Sequence, residues 1–140
     1  MSENTTDNLG LYLVNLVMGK EGTPGAPILH LSLLVNAASG AVTGHGVQTQ
    51  AVAAPGNRVE IGNITGQIHG AGFGGVTKLV ALQGQAVISF PPPAIGSYLA
   101  PFAANLGVNN EWSGEGGWTL GTTRVEDVPV KKVAAQAAAG

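Results

Sequence analysis

Apolar and polar residues alternate over several stretches of this chain. Leu29, Leu31, Leu33 and Val35 fall on one side of an extended backbone, with His30 and Ser32 on the other. Further on, Val76, Val80, Leu82, Ala86, Ile88 and Phe90 share a face opposed by Thr77, Gln83, Gln85 and Ser89. Successive side chains of a strand point to opposite faces, so this period of two predicts half-buried β-strands. The breaks between such runs are Gly22-Thr23-Pro24-Gly25, Asn36 to Gly40, Pro55-Gly56-Asn57 and Gly70 to Gly75. Gly, Pro and Asn supply positive or fixed φ at little cost, and these breaks recur at intervals of about 17 residues. Short connections make consecutive strands antiparallel neighbours. The pattern predicts an all-β chain, an antiparallel up-and-down meander of seven or eight strands.

Pairing the second and third runs across Ala38-Ser39 sets a register with Leu33 opposite Gly44, Leu31 opposite Gly46 and Ser32 opposite His45. Glycines inside strands mark bends or close backbone approach. They recur at Gly66 and Gly84, which predicts a barrel or a strongly curled sheet. The apolar phase slips between Ile61 and Ile64, so a bulge is expected at Gly62-Asn63. The first run, Leu9 to Met18, is apolar on both faces and needs cover on both. Tyr12, Val14, Leu16 and Met18 of that run are expected to meet a partner or ligand.

Behind Pro91-Pro92-Pro93 the pattern changes. Ile95, Leu99, Phe102 and Leu106 fall at helical spacing, with Ser97 as a candidate N-cap and Gly107 as a stop. One short helix is expected near residues 95–106, kinked or shortened by Pro101. Two further strands are expected at Glu111–Gly114 and Gly117–Val125 around a turn at Gly114–Gly117, with Val128-Pro129-Val130 as an edge segment. Residues 1–133 form one β domain on this reading, and residues 134–140 an Ala-rich tail.

Composition sharpens the picture through charge. Only 10% of the 140 residues are charged, against a usual ~25%. No Asp, Glu, Lys or Arg occurs from Gly22 to Asn57 or from Leu79 to Asn110. A monomer's exposed faces normally carry both signs, so these neutral stretches point to surface covered by another molecule. The net charge of −2 argues against a nucleic-acid partner, which needs a basic footprint. The absence of cysteine excludes disulfides, thiolate zinc sites and a thiol nucleophile. The opening residues lack a basic n-region and no apolar run reaches the ~20 residues of a membrane helix. The expectation is a cytoplasmic protein without a membrane span.

Candidate chemistry is sparse. Gly70, Gly72 and Gly75 have the spacing of a dinucleotide loop, but a strand-like run follows and no acid occurs before Glu111. Gly19-Lys20 is followed by Glu21, so it is no phosphate-binding loop. His30 and His45 lie diagonally across Ser32 on one face, a small polar cluster lacking the third ligand that zinc requires. His69 falls on the opposite face unless the bulge turns it. Ser113 has no nucleophile elbow around it. Adjacent Glu126 and Asp127 would point to opposite faces of a strand, which separates them as an acid/base pair. Neither catalytic residues nor a cofactor is expected, and the chain reads as a non-enzyme.

Trp112 and Trp118 stand among small polar residues, where tryptophan pairs either cap a core or anchor a contact. The run Glu111-Trp112-Ser113-Gly114-Glu115-Gly116-Gly117-Trp118, with Val125-Glu126-Asp127-Val128-Pro129-Val130, resembles a family of small bacterial all-β domains known as a domain of unknown function. That resemblance implies a bacterial source and brings no catalytic residue. The glycine-punctuated hairpins are similar in architecture to avidin-like and lipocalin-like barrels. Three roles follow as expectations. The first is a self-associating or protein-binding β module, most simply a homo-oligomer; the second is a carrier of a small apolar ligand inside the barrel; the third is glycan binding through Trp112 and Trp118.

Overall fold

The computed structural model describes residues 10–52, 57–73 and 76–133. Eight strands follow one another in sequence: β1 (Leu11–Met18), β2 (Ile28–Asn36), β3 (Ala41–Thr49), β4 (Arg58–Phe73), β5 (Val76–Ser89), β6 (Ser97–Val108), β7 (Gly114–Leu120) and β8 (Thr123–Val133). Each pairs antiparallel with the next, and β8 returns to β1 to close a barrel. The β2–β3 register is the expected one, Leu33↔Gly44, Ser32↔His45 and Leu31↔Gly46. The β4 bulge is also where the apolar phase slips. Ile61 pairs with Gly46 and Ile64 with Gly44, so β4 carries one extra residue, and Asn63 takes up the turn at φ 53°. Both isoleucines thereby point inward.

An eight-stranded barrel is just wide enough to be filled by side chains. Here Leu16, Met18, Leu29, Leu31, Leu33, Val35, Ile61, Ile64, Phe102 and Val108 form the buried interior with both tryptophans. Glycines let the strands coil around this filling. A Cβ on Gly44 would run into the Ser32 carbonyl oxygen, and one on Gly66 into that of Ala81. The neighbouring strand lies closer at these points than any side chain permits, which is how a sheet turns a barrel corner.

Two expected elements fail, and with them the edge position of Val128-Pro129-Val130, which lies in β8 paired to both β7 and β1. No helix forms near residues 95–106; that segment is most of β6, paired with β5 from Lys78↔Val108 to Ser89↔Ser97. The inward residues of β6 are Ala100, Phe102, Ala104, Leu106 and Val108, each 2% exposed or less, whereas Ile95 and Leu99 are 97% and 63% exposed. Alanines conceal this period of two in the sequence, and the long ladder with β5 overrides a helical spacing carried by four residues. The second failure is the turn at Gly114–Gly117. These glycines lie within β7, and the connections fall at Asn109–Ser113 and at Gly121-Thr122. A Cβ on Gly114 would overlap the Gly107 carbonyl oxygen, so close strand approach, not a turn, calls for glycine there. Leu9, Pro55-Gly56, Gly74-Gly75 and the expected tail at 134–140 lie outside the described residues.

Candidate functional site

The hairpin of β5 and β6 outlasts its neighbours. Pairing of β5 with β4 stops at Ile61↔Ala86, and pairing of β6 with β7 starts at Phe102↔Leu120. One further bond, from the Gly121 N–H to the Pro101 carbonyl at 3.0 Å, closes the β7 side. Beyond that point Val87–Ser89 and Ser97–Leu99 pair only with each other among the described residues. They form a two-stranded arm past the barrel rim.

The arm is apolar on both faces. Val87 and Leu99 oppose one another on the face continuous with the outer wall and are 60% and 63% exposed. On the other face Ile88, partly buried against the barrel core, opposes Tyr98, and the rings of Phe90 and Tyr98 lie 5.4 Å apart. Gly96, at φ 122°, lets the chain turn beside the Phe90 ring, and Ile95 projects from the tip. A lone two-stranded hairpin is marginal in water, and an exposed, uncharged apolar edge is a template for pairing. The arm lies wholly within the uncharged stretch Leu79–Asn110, which continues down the outer wall through Gln85, Pro101, Gln83 and Ala103.

The sequence-predicted contact residues sit elsewhere. Val14, Leu16 and Met18 point into the barrel at 3%, 1% and 0% exposure, and Tyr12 packs partly buried against the same core. Their alternation with Leu11 and Leu13 decides this. One face of β1 enters the core, and the other leaves Leu11 and Leu13 exposed on the outside, with Leu13 opposite Leu34. The expected contact role therefore does not fall on Tyr12, Val14, Leu16 or Met18. The tryptophans are likewise enclosed. Trp112 is 2% exposed, with the Lys78 ammonium 4.9 Å from its ring centre. Trp118 is 2% exposed and donates its indole N–H to Gln48 Oε1 at 2.8 Å. Neither ring offers a face to a sugar, and among the described residues the barrel interior, where an apolar ligand is expected, holds these side chains and the rest of the apolar core.

The polar cluster assembles only in part. His30, Ser32 and His45 share the outer wall, and the Ser32 hydroxyl donates to Asn15 Oδ1 at 2.9 Å. The β4 bulge brings His69 to the outer wall too. Among the described residues no three His, Asp or Glu side chains gather closely enough to hold a metal ion. A shallow outer groove of about 480 Å³ is lined by Asn105, Thr119, Arg124, Glu126 and Asp127, among others. Its Arg124 and Glu126 bond to each other. Asp127 adopts φ 57° at a register shift of β8, which leaves it and Glu126 both exposed.

Val87, Phe90, Ile95, Tyr98 and Leu99 were not singled out by the sequence reading as contact residues. The signal for them was present in the charge-free run that contains them, but a helical stripe assigned Ile95 and Leu99 to the interior. In comparisons with known proteins, the sequence model of a domain family of unknown function, DUF1842, matches residues 9–123. The match runs from the start of the barrel through β7 to the first residue of β8, and includes the run Glu111 to Trp118. No curated protein matches the chain.

Proposed function

The chain belongs to the DUF1842 family, and from that premise we propose that it is a non-enzymatic contact module whose working surface is the β5–β6 arm. One observation carries the reading: an uncharged two-stranded arm projects beyond the barrel with Val87, Ile95, Tyr98 and Leu99 all at least 48% exposed. Soluble proteins seldom leave such a surface bare, and a protein partner removes both its apolar area and its unpaired edges from water. The barrel is the rigid base that holds the arm. The dispersal of ionisable groups supports a non-catalytic role. Glu21, Glu60 and Glu126 are exposed and paired with Lys131, Arg58 and Arg124; Glu126 and Glu21 line separate open grooves, each beside its own cation, so these three carboxylates stand apart rather than meeting in one site as a catalytic pair would.

The test is photo-crosslinking in cells that express the chain. A benzophenone amino acid replacing Ile95 should yield a protein adduct, while the same group replacing Gln83 on the outer wall should not. No adduct at Ile95, or equal adducts at both positions, overturns the reading.

A further inference from the structure

We infer that the arm's partner is a second copy of this chain, joined along the free edge of β6 so that two hairpins make one four-stranded sheet. The inference rests on the reading of the arm as a contact surface and names its occupant.

Backbone direction sets which groups are free. The Phe90 N–H bonds the Gly96 carbonyl at 3.0 Å, so Gly96 faces β5; the Gly121 N–H bonds the Pro101 carbonyl at 3.0 Å, so Pro101 faces β7. Backbone groups alternate between the two sides along a strand. Ser97 and Leu99 therefore direct their N–H and C=O to the β7 side, where β7 no longer reaches. Pro101 has no N–H and stands where its missing donor faces this same side, next to the last β7 bond. The free edge is thus short and bounded.

Three features favour a copy over another occupant. In a two-fold interface only the residues close to the axis meet their own symmetry mates, the others pairing reciprocally, so a charge close to the axis would face its like. The arm contains none; the nearest charged residues in sequence are Lys78 and Glu111. A copy also brings a hairpin rather than one strand, which lifts a marginal two-stranded ribbon to four strands with continuous apolar faces. Finally, antiparallel pairing of Ser97 with Leu99 of the copy satisfies both residues' donors and acceptors, and places Tyr98 beside its own mate on the axis. A lipid surface would cover the side chains but leave those backbone groups unpaired, which is costly in an apolar medium.

The chain's lack of cysteine makes the test clean. A Tyr98→Cys variant under mild oxidation should form a disulfide-linked dimer, because facing Cα atoms at a non-hydrogen-bonded pair fall within disulfide range. Gln83→Cys should not. Unmodified protein should sediment as a dimer at ~100 µM, and Leu99→Pro, which removes the edge donor, should weaken dimerisation by about tenfold or more. A wild-type monomer at that concentration, a dimer indifferent to Leu99→Pro, or no Tyr98→Cys disulfide overturns the inference. The Ile95 crosslink separates the two levels. An adduct of twice the chain's mass supports both; an adduct to a different protein overturns the copy but keeps the arm as a contact surface; a lipid adduct alone, or none, overturns both.

Discussion

The indole N–H of Trp118 and the side-chain oxygen of Gln48 meet at 2.8 Å inside the barrel, joining β7 to β3 across the core. Among the described residues Gln48 is the buried polar one in an otherwise apolar interior, 4% exposed, and no buried side-chain polar atom there lacks a partner. Gln48→Leu removes the acceptor and leaves the indole donor unsatisfied, so it should destabilise the barrel by about 1–3 kcal/mol. Trp118→Phe in the same background should then cost less than it does alone. Urea unfolding of the two single variants and the double variant measures this coupling.

Strand and helix make opposite demands on β6. A helix would bury Leu99 and Phe102 alike, whereas the strand buries Phe102 at 1% exposure and leaves Leu99 at 63%. Phe102→Ala should therefore cost about 3–5 kcal/mol, and Leu99→Ala within about 0.5 kcal/mol, measured at a dilution where the chain is monomeric.

Glycines should divide in the same way. Gly44→Ala forces a methyl group into the Ser32 carbonyl oxygen, while Gly62 on the β4 bulge has nothing within 4 Å of an added Cβ. Gly44→Ala should cost about 1–3 kcal/mol or more, and Gly62→Ala should be near neutral. Thermal unfolding of both variants checks the contrast.

Much of this barrel was legible in the chain. The β2–β3 register and the β4 bulge followed from where large side chains faced glycines and from the slip between Ile61 and Ile64. The β6 strand was not, because Ala100 and Ala104 carry too little apolar weight to reveal alternation. Pairing with β5 over the whole of β6 decided the matter, and such tertiary pairing has no local signature. The contact surface was half legible. One of the two charge-free runs, Leu79 to Asn110, contains the arm, but side-chain direction depended on strand against helix. At β1 the doubly apolar run hid which face turned inward, so Leu13 and Leu11 took the exposed positions in place of Val14 and Leu16.

Association through the arm should be insensitive to salt. No charge lies between Leu79 and Asn110, so raising ionic strength from ~0.05 to ~0.5 M screens nothing at the interface. Sedimentation across that range should give one dimer constant within about twofold; a steep decline would place charged residues in the contact.

Amide hydrogen exchange at Ser97 and Leu99, followed as protein concentration rises, tests the arm most directly. Both amides face away from β5, so they should exchange freely in dilute solution and become protected by about tenfold or more as copies pair. Ala100, whose amide faces β5, should change far less. Exchange at Ser97 and Leu99 that stays fast and independent of concentration would contradict the account.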